Sequence, residues 1–155
     1  MGRKILRLIM LAVSALATAT VSPAAWAAHG DLVVHVRNLS PAGGILRLGV
    51  YDEANYPNDD SNPVASADAD ISGAEVTVVL HGIRPGDYAI EAFQDVHRDG
   101  KMDTSLLGIP QEPFGFSRDV RPILAKPSFS SVKFTISPGE NIQTIHLQSG
   151  ISLVP

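Results

Sequence analysis

The sequence has 155 residues and no cysteine, with 12 basic and 16 acidic side chains and a formal net charge of −4 at pH 7. The absence of cysteine excludes a disulfide, a thiolate metal site and a cysteine nucleophile. An acidic chain repels phosphate backbones, so we expect no nucleic-acid partner.

The first 27 residues have the three-part layout of a secretory signal peptide. Three basic residues precede an apolar run over residues 8–21, and Ala25-Trp26-Ala27 forms an A-x-A cleavage site. The run is Ala- and Thr-rich, whereas a membrane anchor needs ~20 strongly apolar residues. We therefore predict cleavage after Ala27, a single domain over residues 28–155, a periplasmic or secreted location and no stable membrane anchor. The mature domain then keeps 9 basic and 16 acidic residues, a formal charge of −7.

Short strands separated by Gly- and Pro-rich turns are predicted for most of the remaining chain. Alternating or β-branched apolar patterns predict six strands, at residues 32–37, 45–51, 74–80, 88–95, 128–136 and 142–147. We expect the first two strands to form a hairpin. Residues 52–69 and 96–126 are predicted to be two long loops.

These elements predict an all-β fold, because no stretch after the signal peptide carries helical periodicity. Six or seven short strands favour an antiparallel β-sandwich with immunoglobulin-like or transthyretin-like topology. The Pro85-Gly86 turn followed by Tyr88 is typical of a tyrosine corner, in which the phenol bonds to nearby backbone. A simple turn with a core tyrosine is the alternative.

Residues 95–103 have the layout of an EF-hand-type calcium loop, with oxygen ligands at alternate positions and Gly100 at the sixth. The candidate ligands are Asp95, His97, Asp99, the backbone carbonyl of Lys101, Asp103 and, beyond the loop, Glu112. Imidazole is a poor calcium ligand, and Leu106 stands where an EF-hand has its final glutamate. Two alternatives remain open: Asx-turns on an exposed loop, or a transition metal bound through His97.

Residues 108–117 contain two prolines, two glycines and two phenylalanines. A segment of this composition is stiff. It presses Phe114 and Phe116 onto the sandwich or presents them to a partner, and packing is favoured because exposed aromatic pairs are costly.

Three motifs together resemble the domain of unknown function 2141 family. They are P-G-D-Y-A at residues 85–89, D-V-H-R-D-G-K-M-D at 95–103 and G-I-P-Q-E-P-F-G-F-S at 108–117. The family usually carries Asn where this chain has His97 and Asp99. The resemblance implies an exported bacterial protein with a sandwich fold, and it implies no particular activity.

No arrangement typical of a nucleophile with its base occurs in the sequence, and neither does a phosphate-binding loop. We therefore expect an exported, non-catalytic domain that binds an unknown protein or small-molecule ligand, with calcium as the candidate cofactor. The alternative is a metal-dependent hydrolase in which Asp95, Asp99, Asp103 and Glu112 act with His97 as the base. Cleavage one residue later would instead expose His29 as an N-terminal metal ligand, although Trp26 disfavours that cut.

Overall fold

The computed structural model describes residues 29–58, 61–122 and 125–150, so the predicted signal peptide lies outside the described residues. Eight strands form in this part of the chain: β1 (Gly30–Arg37), β2 (Ile45–Tyr51), β3 (Ala65–Asp70), β4 (Glu75–Ile83), β5 (Gly86–Asp95), β6 (Phe114–Phe116), β7 (Phe134–Ile136) and β8 (Gly139–His146). A 3₁₀ turn spans Ser117–Asp119, and one helical turn, α1, spans Phe129–Val132. Within the described ranges, no helix is long and apolar enough to cross a membrane.

The strands form two sheets. The small sheet has the order β4-β1-β8, in which β1 runs antiparallel to β4 and parallel to β8. The large sheet has the order β3-β2-β5-β6, and β7 pairs with the first residues of β5. The all-β prediction is therefore confirmed, with two more strands than the six that the sequence patterns located. The prediction of wholly antiparallel sheets is wrong, because β8 pairs with β1 in the parallel direction along the whole of β1.

The main core lies between the two sheets. Alternate residues of β1 point inward, and Leu32, Val34 and Val36 are fully buried against residues of β2 and β5. A second, smaller cluster covers the outer face of the large sheet and consists of Tyr56, Ala89, Phe114, Phe116 and Val132. The chain segments after β2 and β5 thus add a layer over the outer face of β5.

The predicted hairpin of the first two strands is wrong, because β1 and β2 belong to different sheets. The connection between them, residues 38–44, is hydrogen-bonded to the large sheet by the buried side chain of Gln94. Its amide nitrogen donates to the carbonyls of Ser40 and Gly43, at 2.9 and 2.6 Å. A Gly-rich turn between two apolar strands therefore crosses from one sheet to the other instead of turning back within one.

Two further predictions are corrected at the ends of the loops. Residues 65–69 are not loop, because β3 pairs with residues 45–50 of β2 as an edge strand. Residues 128–136 are not one strand: the N–H of Lys133 bonds to the carbonyl of Phe129 at 2.8 Å, which closes α1 before β7 begins. Phe129 and Val132 are three residues apart, so a single helical turn brings both toward the sheet.

Candidate functional site

The loop after β5 begins at a buried carboxylate. Asp95 is fully buried, and its Oδ2 atom accepts a hydrogen bond from Nε of Arg47 on β2 at 2.6 Å. The same carboxylate accepts the backbone N–H groups of Asp99 and Gly100 at 3.2 and 2.9 Å. Asp95 therefore closes the first turn of the loop, and Arg47 supplies the positive charge beside it.

Arg47 also joins the loop to the edge of the large sheet. Its Nη1 atom lies 2.7 Å from Oδ2 of Asp68 on β3, and the hydrogen bond to Asp95 raises the pKa of Arg47 above its ordinary value. A second pair, Arg98 with Asp70 at 3.0 Å, connects the loop to the same strand. The acidic side chains of β3 are thus paired with two arginines.

Three of the six candidate ligands lie together. Nδ1 of His97 is 2.7 Å from Oδ2 of Asp103 and 3.7 Å from Oε1 of Glu112, and one ligand atom from each residue lies within 4.8 Å of the others. Glu112 is buried, and its two oxygens accept the N–H groups of Val96 at 2.7 Å and Asp103 at 3.1 Å. These bonds hold the Glu112 carboxylate at the base of the loop.

Asp95 and Asp99 lie outside this cluster. The carboxylate of Asp95 faces Arg47, while Oδ1 of Asp99 accepts the N–H of Lys101 at 3.0 Å in an Asx-turn. The cluster therefore offers one imidazole and two carboxylates, a ligand set that suits a transition metal better than calcium. Calcium binding by all six residues remains a prediction.

The tip of the loop is held in shape by Ser105. Its backbone N–H donates to the carbonyl of Ile109 at 2.8 Å, and its hydroxyl oxygen accepts the N–H groups of Leu107 and Ile109 at 3.3 and 3.2 Å. The side chains of Leu106 and Leu107 project from this turn. Leu106 is fully exposed, and Leu107 is largely exposed. The loop is therefore an ordered projection and not an unstructured connection.

A cleft of about 500 Å³ lies between this loop and the outer face of the large sheet. Its lining comes from β2, β5, the loop, β6 and the segment that follows β6: Tyr51, Glu91, Ala92, Phe93, Met102, Thr104, Gly108, Pro110, Phe114, Gly115, Phe116, Pro122, Ala125 and Lys126. The lining is mainly apolar and aromatic. The loop that carries the His97 cluster thus also forms one wall of the cleft.

One corner of the cleft is charged. Nζ of Lys126 lies 2.6 Å from Oε1 of Glu91 and donates to the carbonyl of Tyr56, also at 2.6 Å. The same ammonium lies 4.5 Å from the ring centroid of Tyr56 and 5.9 Å from that of Tyr51. The cation is thus held between a carboxylate and two aromatic rings.

The two phenylalanines of residues 108–117 are buried, as the packing alternative predicts. Phe114 and Phe116 are 5% and 9% exposed, and their rings meet edge to face at 6.0 Å. Ser117, also buried, accepts the N–H of Ile90 at 2.9 Å and donates to the carbonyl of Val132 at 2.6 Å. The motif therefore joins β5 to α1 and forms the far side of the cleft.

A family model described as "Uncharacterized protein conserved in bacteria (DUF2141)" matches residues 34–144. The chain belongs to this family. The matched residues include the His97 cluster and every residue that lines the cleft, so the resemblance seen in the three motifs is confirmed. No curated protein and no solved structure matches the chain.

Sequence reasoning missed the residues that come to the loop from other strands. Arg47 alternates with the buried Leu46 and Leu48, which places it on the outer face of β2, but a single sequence does not show that Asp95 lies beside it. Tyr51 and Lys126 likewise reach the cleft from distant positions. The strand β3, which carries Asp68 and Asp70, could have been predicted from the sequence. Alanine alternates strictly with polar residues over residues 65–70, which is typical of a half-buried strand.

Proposed function

We propose that this DUF2141 domain is exported and binds a small molecule with an apolar body, without catalysing a reaction. The observation that carries the proposal is the cleft beneath the loop. Its volume of about 500 Å³ falls within the ~300–1,000 Å³ that small-molecule sites occupy. A concave cleft of that size with an aromatic lining fits a compact small molecule better than it fits the flat surface of a partner protein.

The lining indicates the chemistry of the ligand. Phe93 and Met102 offer apolar contacts on facing sides, from β5 and from the loop. The Lys126–Glu91 pair places one positive and one negative group at the same corner, which provides hydrogen-bonding partners for a single polar group on the ligand. We therefore infer an amphipathic ligand, mostly aromatic or aliphatic, with one polar end.

Binding of 1-N-phenylnaphthylamine, a neutral apolar probe whose fluorescence increases in apolar surroundings, tests this proposal. The sample is the domain that comprises residues 28–155. The wild-type domain should bind the probe saturably. Met102→Trp fills the cleft from its wall, and we expect it to weaken binding by about tenfold or more, because about 1.4 kcal/mol of lost contact suffices for that change. Leu106→Trp is the matched control, since it places the same ring on the exposed tip of the same loop.

The proposal fails if the wild-type domain does not bind the probe saturably, or if Met102→Trp and Leu106→Trp bind it equally. The predicted mature chain contains no tryptophan, so each variant also carries a single indole fluorophore of its own. We expect the indole emission of the Met102→Trp variant to be shifted to the blue relative to that of the Leu106→Trp variant.

We further propose that a divalent cation binds at His97, Asp103 and Glu112 and stiffens the wall of the cleft. Three ligand atoms of suitable type lie within 4.8 Å of one another, and Glu112 is positioned by two backbone N–H groups. A neutral imidazole with two carboxylates is a ligand set of zinc and related metals. The cation would replace the His97–Asp103 contact with bonds from both side chains.

Thermal melts with zinc, calcium and chelator test the cation site. Zinc should raise the Tm of the wild-type domain by several degrees, because a ligand that binds only the folded state stabilises it. His97→Gln should abolish the shift, whereas His81→Gln, another exposed histidine paired with an aspartate, should keep it. A shift with calcium that Asp99→Asn abolishes would instead support the six-residue loop and overturn the three-residue site.

A metal-dependent hydrolase is the second candidate, and the same cluster is its basis. Three protein ligands that leave a coordination position open for water are typical of catalytic zinc sites. Zinc-stimulated turnover of generic ester or phosphoester substrates that His97→Gln abolishes would establish this alternative, and its absence would support the binding role.

The proposal also covers the export of the domain and the arrangement of its strands. Export is supported by the signal-peptide pattern of residues 1–27, and N-terminal sequencing of the exported protein should begin at residue 28. We also infer an immunoglobulin-like or transthyretin-like arrangement of the strands. Two packed sheets and the hydrogen bond from the Tyr88 hydroxyl to the carbonyl of Arg84, at 2.9 Å, support that inference.

A further inference from the structure

A second cleft, of about 280 Å³, lies on the other side of β6, where the chain leaves β8. Its lining consists of Asn38, Gly115, Phe116, Asp119, Val120, Arg121, His146, Leu147 and Gln148. Only Gly115 and Phe116 are shared with the larger cleft. Its polar residues come from three separate parts of the chain, which the fold brings to one edge of the molecule.

A histidine is fixed at this cleft by an aspartate. Oδ1 of Asp119 accepts the backbone N–H of His146 at 2.7 Å, and Oδ2 lies 2.8 Å from Nδ1 of the same residue. Because Nδ1 faces the carboxylate, Nε2 is the ring nitrogen left for another partner. The His146 side chain is 43% exposed and lines the cleft.

The backbone around the cleft is strained. In the part of the chain that the structure describes, four non-glycine residues have positive φ: Asn38 at 61°, Arg98 at 60°, Arg118 at 64° and Asp119 at 54°. Asn38 and Asp119 line the cleft, and Arg118 directly precedes Asp119. Such conformations are energetically costly and concentrate at active sites and ligand-binding sites. Two of these four residues thus line the cleft, and a third is adjacent to one of them in the chain.

The charge of the cleft differs from that of the domain. Arg121 lines it and forms no ion pair with any residue in the described ranges, while Asp119 is engaged by His146. Asn38 and Gln148 add side-chain amides that can donate hydrogen bonds. A guanidinium and an imidazole at one small polar cleft are the groups that recognise a carboxylate or a phosphate.

We propose that this cleft binds a small oxyanion through the guanidinium of Arg121 and Nε2 of His146. Asp119 acts as a positioning residue that keeps the imidazole oriented through its contacts with the backbone N–H and Nδ1 of His146. The amides of Asn38 and Gln148 bond the remaining oxygens of the anion. This proposal does not rest on the binding of an apolar ligand in the larger cleft.

Titration of ¹⁵N-labelled residues 28–155 with acetate, and separately with inorganic phosphate, tests the site. The ring signals of His146 and the amides of Val120 and Arg121 should shift saturably. Arg121→Gln and His146→Gln should each weaken binding by about tenfold, the effect of losing one charge-assisted hydrogen bond. Arg118→Gln is the matched control, because Arg118 neighbours the cleft without lining it, and it should bind like wild type.

Saturation by acetate alone assigns a carboxylate ligand, and saturation by phosphate alone assigns a phosphate. The proposal is overturned if neither anion gives a saturable shift below about 10 mM. Equal binding by wild type and Arg121→Gln would overturn it as well. Arg121 is exposed, so this variant remains informative even if His146→Gln disturbs the end of β8.

Discussion

At Asp95, burial and hydrogen bonding act on the pKa in opposite directions. Burial of the carboxyl raises the pKa, but the hydrogen bonds from Arg47 and from the backbone N–H groups of Gly100, Asp99 and Arg98 together outweigh it. The pKa is therefore lowered from its ordinary value of 3.8. Because the unfolded carboxyl has the higher pKa, its ionisation stabilises the fold above pH ~4. That contribution is lost as the pH falls through the folded-state value.

We predict that Asp95→Asn destabilises the domain by about 2–3 kcal/mol at pH 7, because it removes the charge of a fully buried carboxylate that accepts a hydrogen bond from the Arg47 guanidinium. Urea unfolding at pH 7 and at pH 3 measures the effect. The difference from wild type should be smaller at pH 3, which lies below the ordinary pKa of 3.8, because the unfolded carboxyl binds a proton there and the ionised Asp95 stabilises the fold less. Asp68→Asn is the control: its carboxylate pairs with the same arginine but is 56% exposed, so the loss should stay below about 1 kcal/mol. Equal losses would contradict this account of Asp95.

Tyr88 provides a second test at a single residue. Its hydroxyl donates to the carbonyl of Arg84 at 2.9 Å, across the turn that joins β4 to β5. Tyr88→Phe should lower the free energy of unfolding by about 1 kcal/mol, the typical net value of one hydrogen bond. An unchanged urea midpoint would mean that the bond contributes nothing to the corner.

Among the strands, β6 is the element on which both clefts depend. Its central residue, Gly115, lies so close to β8 that an added Cβ would stand 2.8 Å from Cγ2 of Ile145 and 3.2 Å from the carbonyl oxygen of His146. Gly115→Ala should therefore destabilise the domain by about 1–3 kcal/mol, as overpacking does. Gly73→Ala, where the new methyl group meets nothing within 4 Å, should unfold like wild type. If the two variants unfold alike, β6 and β8 are not packed as described.

Strands with strong apolar patterns were predictable, and those without them were not. Residues 45–51 were located at their observed bounds, since the buried Leu46, Leu48 and Val50 mark the inner face of β2. β3 was missed because its inward residues are alanines, and β6 because three residues are too few to show alternation. The crossing from β1 to β2 depends on Gln94, whose bonds reach across more than 50 residues of sequence.

The candidate site was predictable only where its residues lie on one loop. The spacing of the loop included His97 and Asp103, Glu112 was added from beyond the loop in place of the missing final glutamate, and the structure brings the three together. Spacing also placed Asp95 and Asp99 in that set. In the structure, Arg47 donates to the carboxylate of Asp95, and the backbone N–H of Lys101 donates to that of Asp99. Arg47 comes from β2, and such long-range pairing has no local signature in one sequence.

At the scale of the whole molecule, the two sheets have different outer faces. On the small sheet, strand register sets Val33 beside Val79 and Ile142, and the last two are 46% and 56% exposed. The outer face of the large sheet is instead overlaid by the second apolar cluster and by the loop after β5. Within the described ranges, the long chain segments thus form a cleft on one face and leave Val79 and Ile142 exposed on the other.

The central claim is that the larger cleft binds a small apolar ligand, and mapping of ¹⁵N chemical shifts during titration with 1-N-phenylnaphthylamine tests it most directly. We predict saturable shifts at Phe93, Met102 and Phe116, with amides of the small sheet unchanged. Shifts confined to the exposed row around Val79 and Ile142 would contradict the claim, as would the absence of any saturable shift.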